Sequence, residues 1–199
     1  DLSAEVSQWM TDTQVALAAA RPLFNGSRLK PGQRHDLLMA LGGAADRYRA
    51  TVYEQEGLSA PVAIDPAAVA GLLDAALAAI DHSIATNRRE DGLYEAYNLV
   101  HLGEGSVEVA TLYPMLEGQV AALSSGEIAP AEAVELLEKL FASAMFRPDQ
   151  NSFILYPDRE LPGFLDKNRV PEEGVAAIPL LGQMMERCDR RIIERDATG

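Results

Sequence analysis

DPAAVAGLLDAALAAIDHSI, residues 65–84, decides the fold class. Asp65 can cap a helix with its carboxylate, and Pro66 suits the first helical position, where a missing N–H costs nothing. Val69, Leu72, Leu73, Ala76, Leu77, Ile80 and Ile84 then recur at spacings of three and four, which gathers them into one apolar stripe. Arg88 and Arg89 are expected in the last turn, where they complement the negative end of the helix dipole, and Glu90-Asp91-Gly92 ends the helix.

The same periodicity extends outward from this helix. Residues 3–20 carry Val6, Trp9, Met10, Leu17 and several alanines, which predicts a helix. Asn25-Gly26-Ser27 is a turn, and after Pro31-Gly32 a second helix places Leu38, Leu41, Ala45, Tyr48 and Val52 on one face. Gly42-Gly43 interrupts that helix. Each glycine weakens it by about 1 kcal/mol, so a close helix–helix contact is the expected reason for them.

Beyond residue 90, residues 99–102 and 107–109 have short-strand character and flank Gly103-Glu104-Gly105, which predicts a β-hairpin. Leu112, Met115, Leu116 and Leu123 suggest a helix with Pro114 in its first turn. Pro130 opens another, with Val134, Leu137, Leu140, Phe141 and Ala144 on one face. Residues 153–156 form a brief extended run. A last helix over residues 176–195 takes Leu180, Leu181, Met184, Met185, Cys188 and Ile192 as its inner stripe, with Pro179 in its first turn or at a bend. The fold class is therefore mainly α: an antiparallel helix bundle or stacked helical hairpins with a small β-hairpin in the middle, as a single helical domain over residues 1–199.

Composition removes several function classes. The chain has 199 residues, 48% apolar and 24% charged, which is ordinary globular usage. With 17 Lys+Arg against 30 Asp+Glu the formal charge is −13, which argues against nucleic acid as a partner. A single cysteine, Cys188, excludes an internal disulfide framework and a cysteine zinc cluster; its place on the inner stripe suggests an inert buried thiol. Residues 1–20 lack the basic start and unbroken apolar stretch of a signal peptide, and a cytoplasmic location is expected. No run approaching ~18 apolar residues is evident, so no membrane partner is expected.

No Walker loop, Gly-x-Gly-x-x-Gly, Gly-x-Ser-x-Gly or His-Glu-x-x-His occurs, so no cofactor and no catalytic residue is assigned. His35, His82 and His101 are far apart in sequence, and His82, beside the apolar stripe, is expected to be structural. Between Arg89 and Lys139 stand ten carboxylates and no basic residue. That stretch is either a solvated face or a surface for a cation or a basic partner. At the other end, Arg187, Arg190, Arg191 and Arg195 are expected to cluster on the last turns of the final helix.

Two segments carry more polar and aromatic variety than a plain connector needs. In residues 91–101, Tyr94 and Tyr97 offer flat faces with a hydroxyl at the edge, and Glu95, Asn98 and His101 stand beside them, a set suited to a polyhydroxylated ligand. The alternative is that both tyrosines pack at the rim of the core. In residues 146–162, Arg147, Asp149, Gln150, Asn151, Tyr156, Asp158 and Arg159 can present guanidinium to phosphate and amides to sugar hydroxyls. The alternative is a loop that fixes its own shape by local hydrogen bonds.

REDGLYEAYNL at residues 89–99, LYPMLEGQ at residues 112–119 and YPDRELPGFLDKN at residues 156–168 resemble an internal stretch of large, poorly characterised bacterial proteins similar to helical-toroid carbohydrate-active enzymes. The resemblance attaches no catalytic role to any residue. It implies that the chain is a piece of a longer protein, with another domain as partner. The expected function is a helical module of a carbohydrate-related bacterial protein that binds a sugar or sugar phosphate near residues 94–101 and 147–159. Whether the module is an enzyme is open. The alternative is a non-catalytic interaction or scaffold module that packs against another domain or a second copy. A third reading, a cation held by the acidic middle, has no metal ligand set assigned.

Overall fold

The computed structural model describes residues 1–195. They fall into two compact units, Asp1–Asp158 and a second that starts at Arg159. The first unit opens with three helices, α1 (Ala4–Ala20), α2 (Pro31–Glu54) and α3 (Pro66–Thr86). α1 packs against both of the others. The residues buried among them are Leu17 and Ala20 of α1, Ala44 of α2 and Ala75 of α3, so small side chains let the backbones come close. Trp9 and Tyr48 meet at 5.9 Å between ring centres, and Arg47 donates to Asp12 at 2.8 and 3.0 Å, both linking α1 to α2. Glu5, buried in the first turn of α1, accepts from the backbone and hydroxyl of Ser59, which ties the connector before α3 to the start of the chain.

α3 begins as its sequence dictates: Asp65 accepts from the Ala67 N–H at 2.9 Å, and Pro66 occupies the first turn. Its predicted inner stripe is a different matter. Leu73, Leu77 and Ile80 are more than half exposed, and the buried contact is made through Ala75. α3 is also long and apolar enough to cross a membrane by length and composition, with mean hydropathy 1.4 over its window. Asp74 and Asp81 interrupt it, so it is not an unbroken apolar run, but its alanines, leucines and isoleucines keep the mean high. The helix ends at Thr86, so Arg88 and Arg89 lie beyond the last turn. They pair with carboxylates there: Arg88 with Glu132 and Glu135, and Arg89 with Asp91 and Glu95. Gly42 has nothing within 4 Å of where a Cβ would stand, and at Gly43 only the Arg47 guanidinium comes near. The close helix–helix contact expected at this pair is absent.

A hairpin of β1 (Asn98–Gly103) and β2 (Ser106–Thr111) follows, closed by Glu104-Gly105 with Gly105 at φ 66°. β2 packs on α2, where Arg34 donates to the Val107 carbonyl at 2.9 Å. α4 (Leu116–Ser124) and α5 (Pro130–Phe141) come next, then a minimal hairpin of β3 (Phe146–Arg147) and β4 (Ser152–Phe153). Pro114 lies ahead of α4, not in its first turn. These elements close a second core of Leu93, Tyr94, Ala122, Leu136, Leu140 and Met145, with Met145 fully buried. Phe141, Phe146 and Phe153 pack mutually at 5.0–5.2 Å along its edge.

The second unit holds three short helices, α6 (Phe164–Lys167), α7 (Glu172–Ala177) and α8 (Pro179–Glu186). The predicted helix over residues 176–195 is therefore broken and shortened. Ile178 is extended at φ −115° and ψ 101°, the conformation favoured before a proline, which separates α7 from α8. α8 stops at Glu186, and Cys188 has φ 51°. Cys188 is exposed rather than buried, and Ile192 of the supposed inner stripe is 72% exposed. The C-terminal arginines stand outside any helix; Arg190 pairs with Glu194, and Arg191 pairs with Asp189. The mainly α fold with a small central hairpin holds. The departures lie in which faces are covered and where the last helix ends.

Candidate functional site

Gln119, fully buried on α4, organises the connector between α3 and β1. Its carbonyl oxygen accepts from the Tyr94 N–H at 2.8 Å, and its amide donates at 2.8 Å to the carbonyls of Tyr94 and Met115. Tyr94 is thereby turned inward at 3% exposure, and its hydroxyl donates to Glu132 at 2.7 Å. Burial, and then the carboxylate of Glu132, push that hydroxyl up to about 12. The Glu95 side chain is 6% exposed, and both its oxygens accept from the Arg89 Nη1 at 3.1 Å. Tyr97 is exposed and donates to Glu117 at 2.7 Å, while Asn98 donates to Asn87 at 3.1 Å. His101 stands on exposed β1, opposite Glu108.

The second segment reaches the same end of α4. The Leu116 N–H donates to the Leu155 carbonyl at 2.7 Å, and Tyr156 meets Tyr113 edge-on at 5.6 Å. Arg147 makes a two-pronged contact with Asp149 at 2.9 Å, which holds the Asp149 carboxyl below its ordinary value. Gln150 is a long 3.5 Å from the Ser152 hydroxyl, and Asn151 sits at φ 47° in the turn. Asp158 is near enough to stabilise the Arg147 charge. Arg159 begins the second unit. Residues 94–101 and 147–158 thus both attach around residues 113–119, with most of their polar groups engaged by protein partners.

Two clefts in the first unit share one residue, His82. The larger, about 430 Å³, is lined by Arg21, Phe24, Gly26, Ala78, Asp81, His82, Ala85 and Glu127. The smaller, about 170 Å³, is lined by Arg28, Leu29, Arg34, His82, Ser83, Thr86, Asn87, Asn98 and Val109. Asn98 is the residue of the expected binding set that lines either one. Phe24 stacks on the His82 ring with centres 4.9 Å apart. Burial lowers the His82 pKa, so the ring is neutral near pH 7. Its Nδ1 is buried with no hydrogen-bond partner, and no described residue bonds the other ring nitrogen.

An orphaned N–H is costlier than an orphaned lone pair, so the proton belongs on Nε2 and the ring carries an unused donor. Arg28 gives one N–H to the Thr86 carbonyl at 3.0 Å, and Arg34 gives one to Val107, which leaves the rest of each guanidinium to the smaller cleft. The arrangement suits an anion flanked by hydroxyls. Only the position of His82 beside the stripe points to it in the sequence, because Arg21, Phe24, Arg28 and Arg34 lie outside α3. Among the described residues no three His, Cys, Asp or Glu side chains come together to hold a metal ion.

Residues 161–199 match a family model described as GH149 phosphorylase insertion domain 2. The match covers most of the second unit and leaves the first outside it. For that segment the match supports the resemblance to carbohydrate-active enzymes, as a similarity to an insertion domain, which is consistent with another domain of a longer chain as partner. No curated protein matches the chain.

Proposed function

We propose that this chain is a helical module of a carbohydrate-related protein and that its first unit binds a sugar phosphate at the His82 clefts. The observation that carries the reading is His82, its Nδ1 buried without a hydrogen-bond partner, lining both an arginine-bearing cleft and a carboxylate-bearing one. Arg28 and Arg34 take the phosphate oxygens, as guanidinium forks do. Asp81 and Glu127, on the larger cleft, accept from sugar hydroxyls. The description of the matched segment, which names a phosphorylase, supports a ligand built of sugar and phosphate. Asn98 joins this site directly. Tyr94, Glu95 and Tyr97 hold the connector that presents it. In this reading Arg147, Asp149, Gln150, Asn151, Tyr156 and Asp158 shape the loop behind α4. His101, exposed on β1, and Arg159, in the second unit, take no part in it.

Thermal-shift titration with glucose 1-phosphate, inorganic phosphate and glucose tests it. Glucose 1-phosphate raises Tm with concentration, as any ligand of the native state must, and glucose alone does so far less. Arg28→Gln weakens the response about tenfold, the size of one charge-assisted hydrogen bond. His82→Phe keeps the stack on Phe24 and also weakens the response. An unchanged response in both variants, or none to either phosphate, contradicts the site.

A further inference from the structure

The outer edge of β1 is an open strand edge. In an antiparallel pair, backbone groups point alternately toward the partner strand and away from it. Arg34 takes the Val107 carbonyl from outside the hairpin, so Val107 and its opposite number Leu102 are a pair whose backbone groups point outward. The Leu112 N–H bonded to the Tyr97 carbonyl continues the inward set in the expected phase. The N–H and C=O groups of Asn98, Val100 and Leu102 therefore face away from β2, and no described residue pairs with them. Arg34 and α2 cover the outer edge of β2, whereas every residue of β1 is exposed.

The side chains agree. Val107 is buried against α2, whereas Val100 and Leu102 on the same face are 58% and 73% exposed. β1 lacks the lysine, proline or bulge with which proteins blunt an exposed edge. The hairpin has Glu104 and Glu108, neither in an ion pair among the described residues, and no Lys or Arg occurs between residues 90 and 138.

We infer that β1 receives an extended peptide segment by strand addition, and that this segment alternates apolar residues and carries lysine or arginine at whichever end meets the Glu104 turn. The open backbone edge demands an extended strand, Val100 and Leu102 demand apolar side chains on one of its faces, and the unpaired carboxylates demand a basic flank. A second copy of this chain is disfavoured because it brings the same acidic hairpin against itself. The inference is independent of the sugar-phosphate reading.

The test is fluorescence anisotropy with the labelled peptide KKVTVTVKK and its glutamate-ended counterpart EEVTVTVEE, on the full chain. The lysine-ended peptide binds, and binds more weakly as salt rises; the glutamate-ended one binds at least about tenfold more weakly. Val100→Pro removes an outward N–H that the hairpin ladder does not use, so it abolishes binding while Tm and the helical circular dichroism stay in place. Leu102→Lys, at an exposed position, gives the same loss without touching the backbone, and it decides the matter if the proline variant unfolds. Equal binding of both peptides, retained binding in the folded variants, no binding below ~1 mM, or a wild-type dimer that Leu102→Lys dissolves would overturn the inference.

Discussion

Gln119 shows how one side chain can hold a connector. Its amide satisfies two buried carbonyls and accepts from one buried N–H, all at 2.8 Å. Leucine there fills the same space but strands the Tyr94 N–H and carbonyl, while the Met115 carbonyl, at the N-cap of α4, keeps its helical bond. Each unsatisfied group costs about 1–3 kcal/mol, so Gln119→Leu should lower stability by about 3 kcal/mol or more in urea unfolding. Tyr94, on the same connector, gives a pH signature. Its folded pKa is raised to about 12 by burial and by Glu132. A raised value favours the neutral form, so this contribution is whole below about pH 10 and lost as pH climbs toward 12. Tyrosinate absorbance should show Tyr94 as the last of the six tyrosines to titrate, with Tyr97 also held up by Glu117, and Tyr94→Phe should remove the last step. His82 works with the opposite sign. Its pKa is lowered by burial, so stability is whole above about pH 6.5 and declines as pH falls below that.

At the scale of elements, α4 lies against the backbone of the connector. A Cβ at Gly118 would stand 3.0 Å from the Ala96 Cα and 3.1 Å from its nitrogen. The neighbouring Glu95 N–H is fixed to the Asn87 carbonyl at 2.9 Å, so this backbone has little room to yield. Alanine is the better helix former, but overpacking outweighs that gain. Gly118→Ala should cost about 1–2 kcal/mol by thermal or urea unfolding, with a compensating gain only if the connector moves. The elements themselves were largely legible in the chain. Asp65-Pro66 starts α3, Pro130 starts α5, and Glu104-Gly105 turns the hairpin, because caps, prolines and glycines act within a few residues. What covers each face was not legible. Leu73, Leu77 and Ile80 look like a core stripe by spacing, yet α1 meets α3 elsewhere. The last helix was read too long because its apolar spacing crosses Ile178 and passes Glu186.

For the molecule as a whole, charge is sorted more clearly than residue type. The chain carries −13 overall, yet Arg21, Arg28 and Arg34 lie around His82, and the carboxylates between residues 90 and 138 gather on and around the hairpin and the last helices of the first unit. The clefts were invisible in the sequence because they join residues from around α1's end, α2's start, α3, the hairpin and the segment before α5, up to 106 positions apart (Arg21 to Glu127). The carbohydrate setting was legible through residues 156–168, which run into the matched segment. The central claim is that His82 is a neutral ring with its proton on Nε2, standing in a site for a sugar phosphate. Nitrogen-15 NMR of the three labelled histidines, with and without glucose 1-phosphate at pH 7, reads both halves of that claim. The free protein should show the His82 Nε2–H tautomer, and the ligand should shift its ring nitrogens while those of His35 stay in place. A ring already protonated at pH 7, or ring nitrogens that ignore the ligand, would contradict the account.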